Sequence, residues 1–101
     1  MTEQPQVPEY NEDETYQLRL FVTGASPNST RAISNLKEIC DEFLKDHYDL
    51  EIIDVHQQPL IAQAEQIIAL PLLIKKGPGV ERRLIGDMSD REKVLRGLGL
   101  S

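Results

Sequence analysis

The stretch Tyr16 to Thr23, YQLRLFVT, alternates apolar and polar residues and then turns continuously apolar. That is the pattern of a strand running into the interior of a sheet. Gly24 ends it. Ser26 then precedes Pro27, and proline is favoured in a first helical turn because its missing N–H would have no partner there anyway. Ala32, Leu36, Ile39, Phe43 and Leu44 recur at spacings of three and four, which predicts a helix from about Pro27 to Asp46 with one apolar face. After His47-Tyr48-Asp49, the β-branched run LEIIDV carries Leu50, Ile52, Ile53 and Val55 and predicts a second strand. A strand, a crossover helix and a strand predict a right-handed unit with parallel strands.

Gln57-Gln58-Pro59 breaks the pattern, and LIAQAEQIIA fits a short helix with Leu60, Ala64, Ile67 and Ile68 facing inward. Its end is β-branched enough to suit a strand as well. LPLLIKK and VERRLIG are two short strands, and the Gly77-Pro78-Gly79 loop between them predicts antiparallel pairing. Ser89 with Glu92 three residues on predicts a capping box opening a last helix, DREKVLRGL. The order β-α-β-α-β-β-α, with a parallel first half and an antiparallel second half, is that of a thioredoxin-like α/β fold with a four-stranded mixed sheet. Pro71, opening the third strand, is the candidate for the cis proline typical of that fold. The alternative is a trans proline at a strand's first residue, where its missing donor is harmless.

A length of 101 residues with 40% hydrophobic content suits one domain and one modest core. The net charge of −6 is uneven: residues 1–15 hold Glu3, Glu9, Glu12, Asp13 and Glu14 and no Lys or Arg. Two prolines and few apolar groups complete that stretch, which predicts a disordered acidic N-terminal arm over 1–15 ahead of a domain over 16–101. A near-neutral body gives no electrostatic case for nucleic acid, which requires a clustered basic face. The set Lys75, Lys76, Arg82 and Arg83 is small, interrupted by Gly77-Pro78-Gly79, and expected to be the solvated charges of a hairpin. No apolar run approaches the ~18 residues of a membrane span and no secretory leader pattern opens the chain, so a cytoplasmic protein is expected.

Candidate chemistry is sparse. A redox fold of this kind would carry two cysteines at the first strand-to-helix junction, where this chain offers Ser26, Pro27, Asn28 and Ser29. Serines cannot replace them, because an alcohol neither ionises near neutral pH nor forms an exchangeable bond. The single Cys40 shares the spacing of Leu36, Ile39 and Phe43 and is expected to be buried and inert. His47 and His56 flank the second strand without further ligands at metal spacing. Asp54 ends that strand with no second carboxylate set against it. Neither Gly24 nor Gly77-Pro78-Gly79 forms a phosphate loop. No enzyme, cofactor or metal is expected, and the default is a binding module.

The segments LRLFVTGASPNSTRAISNL, LEIIDVHQQPLIAQAEQIIALPLLIKK and ERRLIGDMSDREKVLRGLGL resemble the KaiB family of circadian clock proteins, over about residues 16 to 100. The most specific pieces are Gly24 with Pro27-Asn28-Ser29 and Arg31-Ala32, then Ile53-Asp54-Val55, Ala69 with Pro71, and Arg82-Arg83 through Ile85-Gly86-Asp87 to Arg91-Glu92-Lys93-Val94-Leu95. The resemblance implies a non-enzymatic protein that binds the hexameric ATPase KaiC, shares a domain type with the sensor region of the kinase SasA, and has an alternative tetrameric fold as a minor state.

On the same ground, the residues expected at a KaiC-type interface are Arg31, Tyr48, Glu51, Asp54 and Gln66, each with a plain alternative as a surface or packing residue. Glu51 and Gln66 stand where cyanobacterial KaiB proteins carry docking lysines, so one charge is reversed and one lost, which sets docking on the usual surface against a like-charge penalty. Family members commonly continue Gly-Leu-Asp-Leu-Leu-Tyr where this chain has Gly97-Leu98-Gly99-Leu100-Ser101. With the capping box at Ser89 and Glu92, Gly97 and Gly99 in place of that ending predict that the thioredoxin-like form dominates, as a monomer or homodimer. The competing wiring is a stand-alone sensor domain acting on a histidine kinase or a stress pathway without a clock.

Overall fold

A computed structural model describes residues 15–67 and 69–100. The elements run β1 (Tyr16–Val22), α1 (Pro27–Phe43), β2 (Tyr48–Asp54), α2 (Pro59–Ala64), β3 (Leu72–Gly77), β4 (Arg82–Ile85) and α3 (Arg91–Leu98). They form one four-stranded sheet in the order β2-β1-β3-β4. β1 pairs parallel with β2, opposing Arg19 to Glu51 and Val22 to Asp54. The β1–β3 and β3–β4 pairs are antiparallel. The architecture is thioredoxin-like. The expected arm falls almost wholly on residues 1–14, which with Ile68 and Ser101 lie outside the described residues.

The alternation in β1 sends its two faces into two cores. Tyr16, Leu18, Leu20 and Val22 join Ala32, Leu36, Ile39, Cys40 and Leu44 of the α1 segment, Leu73, and Val94 and Leu98 of α3. On the opposite face Phe21, Ile53, Leu72 and Ile74 form a smaller cluster, with Ile61 and Ile67 packed against it. Two helices therefore cover one face of the sheet, and α2 with the turn after it covers part of the other. Each fully buried aliphatic side chain contributes about 1.5–3 kcal/mol relative to exposure, which makes the larger cluster the main stabilising element.

Several boundaries depart from the sequence pattern. Helix α1 ends at Phe43, because Leu44 N and Lys45 N both bond Cys40 O and Lys45 takes a positive φ of 48° that turns the chain toward β2. Phe43 is therefore not a core residue; its ring lies beneath the Arg91 guanidinium at 5.4 Å. In α2 the expected inward residue Leu60 is 78% exposed and Ala64 is exposed, whereas Ile61 and Ile67 face the sheet. The helix is one and a half turns long, and Gln66 at φ 58° redirects the chain, so positions 60 and 67 never share a helical face. Lys75 is buried with its amine 5.9 Å from the Tyr16 ring, unlike the solvated end charge the pattern suggested.

The cap of α3 is also displaced by one residue. Asp90 is the N-cap and accepts from Lys93 N at 3.2 Å, while Ser89 N donates to Asp87 Oδ1. Ser89 is thus spent in the preceding turn, and Glu92 sits in the first helical turn, where its charge favours the helix N-terminus. At the other end Gly99 takes φ 78° and closes α3, a left-handed conformation that glycine adopts without steric cost. The peptide bonds Leu70–Pro71 and Gly77–Pro78 are cis.

Candidate functional site

The turn between β1 and α1 is built from short polar side chains. Ser26 caps α1 by accepting from Ser29 N at 3.2 Å, and its hydroxyl donates to Ser29 Oγ at 2.8 Å. Ser29 is buried and accepts from Thr23 N at 3.0 Å. This network holds the turn with hydrogen bonds at the place where a redox fold would hold thiolates. The one free thiol among the described residues, Cys40, is buried in the larger core; burial, with Asp41 beside it, pushes its pKa up to about 12. Among the described residues no group of His, Cys, Asp and Glu is arranged to hold a metal ion. No helix among them is long and apolar enough to cross a membrane.

The five expected contact residues are distributed over two faces. Tyr48, Glu51 and Asp54 all lie on β2, an outermost strand whose far edge no other strand among the described residues pairs. Register with β1 puts Tyr48 and Asp54 on the face covered by α1 and α3, and Glu51 on the opposite one. Tyr48 donates its hydroxyl to Asp41 Oδ1 at 2.7 Å, which with some burial raises the phenol pKa to about 12. Asp54 Oδ1 accepts from His56 N at 2.9 Å, and its backbone carbonyl accepts from Gln57 and Gln58, so it shapes the turn into α2. Arg31 reaches across to Asp87 at 3.2 Å and also bonds Asn28, tying α1 to the loop before α3. Asn35 Nδ2 donates to Asp87 O at 2.9 Å in the same tie. Ser89's hydroxyl and backbone N–H, followed by the Arg31 guanidinium, hold the Asp87 carboxyl below the usual carboxylate range.

On the second face Glu51 and Gln66 lie beside a charge network that the sequence pattern did not reveal. Glu51 pairs with Arg19 at 3.4 Å, and Arg19 bridges on to Glu65 at 3.3 Å. Glu65 also takes Lys76 at 2.9 Å and Arg83 at 3.4 Å, and Arg83 donates to the Glu65 backbone carbonyl at 2.8 Å. Glu81 lies 3.7 Å from Lys76 and 3.8 Å from Arg83. The negative charge of Glu51 is therefore offset within the chain, and so are two of the basic residues the sequence places on the hairpin. Between β1, β2 and Glu65 runs an open depression of about 610 Å³ lined by Gln17, Arg19, Asp49, Glu51 and Lys76.

Residues 19–100 match the family model of the KaiB domain. The chain belongs to the KaiB family. The circadian clock oscillator protein KaiB of Prochlorococcus marinus subsp. pastoris is 52% identical over 86 residues, which span 85% of this chain and 80% of that protein. The circadian clock protein KaiB3 of Synechocystis is 52% identical over 83 residues, 82% of this chain and 81% of its own. Among solved structures, the N-terminal domain of Synechococcus elongatus SasA matches with a TM-score of 0.69 at 25% identity, covering 100% of this chain and 95% of its own. Mitochondrial thioredoxin 3 of Saccharomyces cerevisiae shares the fold, with a TM-score of 0.66 at 16% identity over 84% of this chain and 80% of its own. The KaiB relatives are circadian clock proteins by name.

Proposed function

We propose that this chain is a non-enzymatic interaction module that docks on a KaiC-type ATPase and regulates it, in circadian timing or in stress adaptation. The KaiB-domain match over residues 19–100 carries the reading. The outer edge of β2 supports it, because among the described residues no strand pairs there and such an edge offers backbone donors and acceptors to a partner, with Ile52 37% exposed beside them. Glu51, on the sheet face opposite α1, and Gln66, in the turn after α2, are the partner-facing positions on one side, while Arg31, Tyr48 and Asp54 flank the edge from the helical side. Since Arg19 already holds Glu51, a partner meets a balanced charge array there, and the like-charge penalty expected from Glu51 alone is reduced. The test is co-elution with the KaiC-type ATPase of the same genome, with and without ATP. A nucleotide-dependent complex is expected; no complex under any nucleotide condition would defeat the proposal.

The likeness to the SasA domain over the full chain favours a second reading, in which the module acts on a histidine kinase. Binding to a kinase from the same genome, with altered autophosphorylation and no complex with the ATPase, would select it.

A further inference from the structure

Helix α2 is poorly held by apolar contact. Six residues are too few for a helix to persist alone, and none of them is buried. Among the described residues of this segment, Ile61 and, beyond the helix, Ile67 reach the smaller core. The residue that caps its C-terminus is anchored quite differently. Glu65, with a side chain 16% exposed, receives a cation from each of three strands: Arg19 of β1, Lys76 of β3 and Arg83 of β4. The Arg83 guanidinium also holds its backbone carbonyl.

We propose that Glu65 is the electrostatic anchor of α2, so that the helix docks on the sheet while this carboxylate is charged and is released locally when it is protonated or screened. The charged groups facing it are Arg19, Lys76 and Arg83, with Glu51 and Glu81 behind them as competing acceptors. Release would uncover the apolar patch of Phe21, Ile53, Leu72 and Ile74 without disturbing the larger core, which shares none of these residues. The pH direction follows from the same contacts. Hydrogen bonding and attraction from Lys76, then attraction from Arg19 and Arg83, lower the Glu65 pKa against the opposing push of burial. A carboxyl lowered in the folded state stabilises fully above its unfolded value, and that contribution is lost as pH falls through the folded value.

The experiment is amide hydrogen exchange by NMR on the full chain, read as protection factors at Ala62, residue 65 and Ile67, whose N–H groups bond within this segment. Glu65→Gln at neutral pH and low salt is expected to lower protection there about tenfold, the loss of two to three partly buried pairs, while β1 and α1 are unchanged. Wild type should lose the same protection at acid pH or in about 1 M salt, where screening lengths fall to ~3 Å. Leu60→Ala, on the exposed side of α2, should change nothing. Protection within twofold of wild type in Glu65→Gln, or equal loss over β1 and α1, would overturn the proposal. Should that variant not fold, the wild-type salt series decides: a segment with no local salt response is not electrostatically held.

Discussion

Gly97 sits inside α3, where replacement by alanine would ordinarily help. Alanine exceeds glycine in helix propensity by about 0.8–1.0 kcal/mol. Here the helix is pressed onto β4: a Cβ at position 97 would overlap Leu84 Cδ1 and lie 2.9 Å from both its Cδ2 and its Cγ. Because Cγ is included, rotating a terminal methyl is not enough, and the whole Leu84 side chain or the helix must move. Overpacking of this size costs about 1–3 kcal/mol, so Gly97→Ala should be destabilising by a net ~1 kcal/mol. For a domain of this size that corresponds to a fall in Tm of about 4–8 °C. Urea denaturation of Gly97→Ala, Leu84→Ala and the double variant would measure it. The double variant should be more stable than the sum of the two single effects predicts, because removing the isobutyl group relieves the clash. A Gly97→Ala variant more stable than wild type, with additive behaviour in the double, would refute the close approach of α3 and β4.

Asp90→Ala should cost about 1 kcal/mol through loss of the α3 cap, with Ser89→Ala costing clearly less; thermal unfolding of the pair checks which residue caps the helix. Cys40, with its pKa pushed up to about 12, should resist thiol reagents in the native protein at pH 8 and react in about 6 M urea, and stoichiometric labelling of the folded chain would contradict its burial. The Tyr48 phenol, raised to about 12 by donating to Asp41, should titrate nearer the usual value of ~10 in Asp41→Asn, as followed by ring-carbon chemical shift.

Where one residue type repeats at one period, the sequence was informative. The face Ala32-Leu36-Ile39-Leu44 and the alternation in β1 locate the larger core and the layer order, because burial on one face leaves no choice of register. The turn at Ser26 was equally legible, since cap chemistry is local. Glu65 was not. Its partners Arg19, Lys76 and Arg83 are brought to it by three strands, and no spacing within one segment encodes that meeting. The shift from Ser89 to Asp90 has a similar cause: both residues are competent caps, and the choice is made by Asp87, which captures the Ser89 N–H. In α2 the apolar residues suit two periods, and the chain resolves this by stopping the helix at Ala64 and packing a half-buried Ile61, in place of Leu60, against the sheet. Family membership was carried by several short motifs in a fixed order, from the β1–α1 turn through the end of β2 and β4 to the start of α3.

The most direct test of the account is an equilibrium binding isotherm of this chain on the KaiC-type ATPase of the same genome, in the presence of ATP, for wild type and for Ile52→Glu on the exposed edge of β2. Saturable binding by wild type, weakened at least about tenfold by a charge buried at the edge, is the expected result. No binding by the folded chain, or identical isotherms for the two proteins, would contradict the assignment of β2 as the docking edge.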